Sequence, residues 1–227
     1  MKDKIEILYE DNHLLVLNKP GGLLVQGDHS GASTLLEKAK LYLKEKYQKP
    51  GNVYLGLVHR LDRMTSGVIV FARTSKAAAR LSKAFRERRV HKTYLAVVHG
   101  VPSRSMAQLR HYLVWDEKRR QTRAFKIPRP EAKEAILRYQ VLKTLKGQAI
   151  LEIVPLTGRK HQIRAQLAAL GNPVVGDLKY GSPERVQQGQ ALLLHALRIT
   201  LPHPTRREEM TFEAPLPAYW PLPSLSQ

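Results

Sequence analysis

Apolar residues in this chain come in short runs broken by turn-forming residues, and only three stretches repeat at helical spacing. Residues 5–26 (IEILYEDNHLLVLNKPGGLLVQ) hold two apolar runs either side of Asp11-Asn12, closed by Lys19-Pro20-Gly21-Gly22, which predicts two strands and a turn. Thr34 with Glu37 three residues on reads as a capping box, followed by Leu35, Ala39 and Tyr42 on one helical face and a stop at Pro50-Gly51. Residues 53–58 and GVIVFA at 67–72 predict buried strands flanking HRLDRMTS. From Ser75 to about Arg89, Ala78, Leu81 and Phe85 mark the apolar side of a helix whose other side is Lys76, Arg80, Lys83, Arg86 and Arg89.

Further on, KTYLAVVHG alternates as a strand with Tyr94, Ala96 and Val98 facing one way. QAILEIVP at 148–155 reads as another strand. LTGRKHQIRAQLAALGNP predicts a turn and a helix with Ile163, Leu167 and Leu170 inward and a stop at Gly171-Asn172-Pro173. ALLLHALRITLPHP predicts a late strand, and the Pro-rich tail is expected to wrap the surface. Residues 110–133, with Lys118, Arg119, Arg120, Arg123 and Lys126, read as a polar surface ribbon or loop. Strands interleaved with few helices predict an α+β fold on a mixed, largely antiparallel sheet. No repeat or linker interrupts the pattern, so residues 1–227 read as one domain.

Charge narrows the function. Lys and Arg number 38 against 19 Asp and Glu, a net charge of +19, which points to a polyanion: nucleic acid first, an anionic membrane surface second. No apolar run approaches the roughly 18 residues that cross a bilayer, and the N-terminus lacks a secretory pattern. The absence of cysteine excludes disulfides, thiolate metal sites and cysteine nucleophiles. A cytoplasmic protein is the expectation.

Two constellations carry chemistry. In HRLDRMTSG (59–67), Asp62 stands between Arg60 and Arg63 where the chain turns between two apolar strands. Neighbouring guanidinium groups would keep the carboxylate ionised, as a nucleophile or general base requires; a turn aspartate capping local amides is the alternative. In TGRKHQIR (157–164), a tight turn and a helix start present amides to an anion, with Arg159, Lys160, His161 and Arg164 as donors and His161 and Arg164 sharing one helix face beside the apolar stripe; a solvated basic helix start is the alternative. Tyr94, just after His91 and Lys92, is either an ordinary half-buried aromatic or a ring for stacking an unpaired base. Phosphate-loop, dinucleotide, serine-hydrolase and zinc signatures are missing, and no paired acids suit two magnesium ions.

At these residues the chain resembles the RluA-type pseudouridine synthases. EDNHLLVLNKPGGLLVQ is similar to the family's opening block, HRLDRMTSG to its H-R-L-D-x-x-T-S-G motif and KTYLAVVHG to its K-x-Y-x-A-x-x-x-G strand. LTGRKHQIRAQLAALGNPVVGDLKYG is similar to its third block and LLLHALRITLPHP to its closing L-H-A strand. The resemblance implies the pseudouridine synthase catalytic fold without an N-terminal S4-like module, and activity on uridines of ribosomal or transfer RNA. It makes Asp62 the catalytic aspartate, and puts Tyr94, Arg164 and Leu194 in the uracil pocket, with Tyr94 as stacking ring and Arg164 as partner of Asp62. Arg60 would enter the RNA stack, and Arg63, Arg159, Lys160 and His161 would contact RNA. Isomerisation is redox-neutral, so neither cofactor nor metal is expected, and no obligate protein partner. A non-catalytic RNA-binding or ribosome-assembly protein and a base-removing glycosidase are the rival readings; the second predicts free uracil.

Overall fold

The structure is a computed structural model that describes residues 5–27 and 31–221. In chain order it contains β1 (Glu6–Glu10), β2 (Leu14–Lys19), α1 (Leu35–Lys46), β3 (Gly56–Leu57), β4 (Ser66–Ala72), α2 (Ser75–Arg86), β5 (His91–His99) and β6 (Met106–Asp116). There follow β7 (Gln121–Phe125), β8 (Lys133–Leu145), β9 (Gln148–Pro155), α3 (Gln162–Leu170), a 3-10 turn at Leu178–Tyr180, β10 (Leu194–Pro202) and β11 (Glu209–Glu213). Contacts divide the chain into two compact units. The first holds the chain up to Lys92 together with Ala196–Ala218; the second holds Thr93–His195 and the segment beginning at Tyr219.

In the first unit the hydrophobic runs pair as expected. β1 pairs with β2 and β2 with β4, both antiparallel, with Leu14 opposite Ala72 and Lys19 opposite Gly67. β10 lies beside β4 and is joined antiparallel by β11, a strand the polar sequence around Glu209 did not announce. Every residue of β4 is buried, as are Leu14–Leu17, which is why neither run alternates with polar residues. Each such side chain contributes roughly 1.5–3 kcal/mol by leaving water. The predicted strand at 53–58 shrinks to β3, although Val53 and Leu55 are still buried.

Thr34 caps α1 through the full capping box with Glu37. Glu10, at the end of β1, accepts from Tyr42 and Tyr47 hydroxyls, Lys46 and Arg73. Burial alone would raise its pKa, but these donors hold it below the usual carboxylate value. Helix α2 starts at Thr74, whose hydroxyl accepts from Ala77 N–H, and buries Ala77, Leu81 and Ala84, a face turned by one position from the expected one. It ends at Arg86, short of Arg89, and Arg88 takes a left-handed φ of 57°.

The second unit is built on an antiparallel order β5-β9-β8-β6-β7. Tyr94 to Val98 of β5 are all buried, so both faces of that strand are covered. The expected surface ribbon at 110–133 is a paired hairpin: Tyr112 stands opposite Phe125 and Trp115 opposite Thr122, with the turn at Glu117–Arg120. Its partner β8 was not foreseen either. Leu109, His111 and Leu113 of β6 and Ala135, Leu137 and Tyr139 of β8 point inward, whereas Arg110, Glu134, Arg138 and Gln140 point out, and the polar half of the alternation masked the strands. Ala165 of α3 closes over Leu113, Ala135 and Tyr180. Gly171 ends α3 with φ 91°, the left-handed cap the Gly-Asn-Pro stop anticipated. Of the tail, Trp220 is buried, and residues 222–227 lie outside the described residues.

Candidate active site

In the first unit, HRLDRMTSG forms the turn between β3 and β4, closed by Thr65 N–H donating to Asp62 O at 3.1 Å. Asp62 is half-buried, Leu61, Thr65 and Ser66 are buried, and Arg60 and Arg63 are exposed. Two anchors hold this turn. Lys19, fully buried, donates its ammonium to Pro20 O at 2.8 Å, Leu23 O at 2.9 Å and Arg63 O at 2.9 Å. Arg63 Nε returns a bond to Gly22 O at 2.9 Å. The Lys-Pro-Gly-Gly segment and the Asp62 turn are thereby stitched to each other through backbone carbonyls. Burial pulls the Lys19 pKa down to about 7, against the Asp62 charge, which raises it.

His59 anchors the other side. Its Nε2 accepts from Val70 N–H at 2.9 Å, and its ring stacks on Phe85 at 5.0 Å. Desolvation, helped by Lys92, drives its pKa to about 3, so it is a neutral acceptor across the working pH range. Gly67, with φ 115°, completes the turn: a Cβ there would lie 2.2 Å from Ala196 O, so no side chain fits.

In the second unit, Arg164 is buried on α3 and bound bidentately by Asp177, Nε to Oδ2 at 2.6 Å and Nη2 to Oδ1 at 2.8 Å. The Tyr180 ring lies 4.9 Å from its guanidinium. Tyr180 Oη accepts from Thr122 N–H at 2.8 Å and meets His161 Nδ1 at 2.9 Å. Thr122 Oγ1 donates to Lys160 O, and the Lys160 ammonium lies 3.1 Å from the centre of the Trp115 ring. One network of polar and ring contacts therefore links the β6–β7 hairpin to Arg164.

The helix start differs from the anion cradle foreseen in the sequence. Gln162 Oε1 accepts from Arg159 N–H at 3.0 Å and from Thr157 Oγ1 at 2.8 Å, occupying the turn with a side chain of the chain itself. His161 adopts left-handed φ 53° without capping the helix. Arg164 stands within the buried face of α3, whose residues 162–167 are all buried, rather than beside it. Arg159 and Lys160 are exposed, and Arg159 Nε donates to Glu134 O. Tyr94 is buried on β5 opposite Ile153, and Leu194 is buried at the start of β10, next to His195, whose ring meets Trp220 edge-on at 5.9 Å.

Asp62, Arg60 and Arg63 thus belong to the first unit, and Tyr94, Arg159, Lys160, His161, Arg164 and Leu194 to the second. Sequence reasoning assigned no role to Lys19, His59, Asp177 or Tyr180. Lys19 and His59 lay inside quoted motifs, and Asp177 and Tyr180 lay inside GDLKYG; an acid following a buried-helix arginine was the available signal for the last two.

Comparison with known proteins agrees with this geometry. Residues 13–169 match the family described as RNA pseudouridylate synthase. The chain is 38% identical over 212 residues to the dual-specificity RNA pseudouridine synthase RluA of Escherichia coli K12, covering 92% of each protein. It is 37% identical over 219 residues to the ribosomal large subunit pseudouridine synthase C of Buchnera aphidicola, there covering 92% of this chain but 66% of that protein. Among solved structures, human RNA pseudouridylate synthase domain containing 4 superposes with a TM-score of 0.79 at 29% identity, covering 95% of this chain and 90% of that one. The chain belongs to the RNA pseudouridine synthase family, a family of isomerases, and within it to the RluA type.

Proposed function

We propose that residues 1–227 act as one catalytic domain that converts specific uridines of ribosomal RNA, transfer RNA or both to pseudouridine, with Asp62 as the catalytic group. The relatives' names supply the substrate class: the E. coli protein is called dual-specificity and the Buchnera protein acts on the ribosomal large subunit. The observation that carries the role of Asp62 is its turn, held by the buried Lys19 on one side and by His59 on the other. Such pre-organisation is what a reacting carboxylate needs, since small misplacements are costly in rate.

The reaction breaks the bond from ribose C1′ to N1 and forms one from C1′ to C5, while the C5 proton is lost and N1 gains one. Asp62 serves as the nucleophile or base that holds the separated fragments on course. The uridine is flipped out of its stack, at a cost of a few kcal/mol that base stacking and backbone contacts offset. Tyr94 is assigned as the stacking ring, Leu194 as an apolar wall that excludes water, and Arg164 as the guanidinium that orients the carboxylate. Arg60, Arg63, Arg159, Lys160 and His161 are assigned to RNA contact, and base flipping leaves Arg60 to occupy the vacated stack.

The test is incubation of total RNA from a strain lacking this protein with wild type and with Asp62→Asn, followed by mapping of new pseudouridines. Wild type should introduce them at discrete sites; the variant should introduce none while keeping RNA affinity within about threefold, as expected when binding rests on phosphate contacts. Turnover near wild type in the variant would remove Asp62 from this role, and free uracil as product would indicate a glycosidase.

A further inference from the structure

The hairpin β6–β7 and strand β8 keep one face against α3 and turn the other outward. That outward face interleaves rings with cations. Tyr112 and Phe125 are a directly opposed cross-strand pair, so their side chains stand next to each other. The guanidinium of Arg123 lies 5.4 Å and that of Arg129 4.3 Å from the centre of the Phe125 ring. Beyond the rings the face continues over Arg110, Gln108 and Arg138 into an open hollow of about 380 Å³ floored by Met106 and Val154. Two acids share it, Glu152 and Glu134, the latter 3.5 Å from Arg110.

We propose that this face is a stacking platform for unpaired bases of the substrate RNA, with Tyr112 and Phe125 as its rings and Arg123 and Arg129 as cations that extend the stack and contact phosphate. The proposal rests on the reading that the chain acts on RNA. Three observations select this occupant. Rings flanked by guanidinium planes match what single-stranded nucleic acid takes, because every base has a π-face and each phosphate a charge. The adjoining hairpin turn carries Lys118, Arg119 and Arg120, all exposed, and so prolongs the positive potential along one direction. The exposed Ile127, 64% accessible, sits two residues beyond Phe125 and adds apolar area at the rim. A duplex would present only its backbone here, with its base faces hidden.

The experiment measures fluorescence anisotropy of a labelled, unstructured oligoribonucleotide of about a dozen residues, and of the same strand in a duplex, against the full chain. The pair Tyr112→Leu/Phe125→Leu keeps apolar bulk on the strands; circular dichroism and a thermal melt verify its fold. Single-strand affinity should fall at least about fivefold while duplex affinity changes by less than about twofold. The pair Arg123→Gln/Arg129→Gln should lower the salt slope of single-strand binding by about 1. Folded ring variants with wild-type single-strand affinity would overturn the platform, even if wild type makes pseudouridine normally. A selective loss of affinity in a protein that makes no pseudouridine would support the platform and reject the catalytic reading instead.

Discussion

Arg164 and Asp177, thirteen residues apart, face each other as a buried two-bond pair, with the side chains only 6% and 1% accessible. Neither charge has bulk water to fall back on, so each is the other's principal solvent. Such a pair fixes orientation more than it adds stability, because desolvation offsets much of the Coulomb attraction. The Tyr180 ring against the guanidinium removes a further degree of freedom. The arginine that the family resemblance singles out is thus aimed by an acid from a separate segment of the chain.

Removing that acid strands a buried cation. Asp177→Ala should destabilise the protein by about 3–5 kcal/mol, read as a shift in the urea midpoint at unchanged slope. A loss below about 1 kcal/mol would show that Arg164 finds another partner.

Arg164→Ala separates orientation from RNA affinity. If the guanidinium aligns the reacting carboxylate, kcat should drop by about a hundredfold or more while RNA affinity changes by less than about threefold. Equal losses in both would make Arg164 a phosphate contact. Arg164→Lys should recover little, since an ammonium cannot reproduce the two parallel bonds to Asp177.

Lys19→Met retains the stem but leaves three carbonyls, those of Pro20, Leu23 and Arg63, without their donor. At about 1–3 kcal/mol for each orphaned buried group, folding stability should fall by at least about 3 kcal/mol, and turnover should fall with it because Arg63 O is tied to the Asp62 turn. Denaturant unfolding and single-turnover kinetics on the same variant check both halves. Stability within about 1 kcal/mol of wild type would mean that water replaces the ammonium.

Asp11 sets an acid limit on the first unit. Burial alone would raise its pKa, but its carboxylate accepts from His13 N–H and Leu14 N–H, both at 2.7 Å, and pairs with His203 at 2.8 Å and with Tyr9. Together these donors lower its pKa from 3.8 to about 2. Because the folded value is the depressed one, this stabilisation is complete above the unfolded pKa and is lost as pH falls through about 2. The urea midpoint should therefore decline between pH 4 and pH 2, and Asp11→Asn should flatten that decline while lowering the midpoint at neutral pH. A variant with the wild-type slope in this window would remove Asp11 from the transition.

What could be read from the chain alone was what local chemistry decides. Leu14–Leu17 and the run at Val68–Phe71 are apolar without interruption, and such runs must be buried strands whatever surrounds them. Thr34 with Glu37, and Gly171 before Asn172-Pro173, end helices through bonds made within a few residues. HRLDRMTSG carries its identity in its own order. Strands β6 and β8 were not legible, because their inward residues Leu109, Leu113, Ala135 and Leu137 declare a face only once β6 and β8 pair and α3 packs on them. The helix turn at Thr157 looked open to an anion, yet Gln162, only five residues on, folds back into it. Lys19 and Asp177 show the same limit most clearly. A lysine beside Pro-Gly-Gly and an aspartate beside Leu-Lys-Tyr are ordinary surface residues by composition. Their burial, and so their role, was decided by partners 44 residues away at Arg63 and 13 away at Arg164, which only the folded chain brings within hydrogen-bond reach.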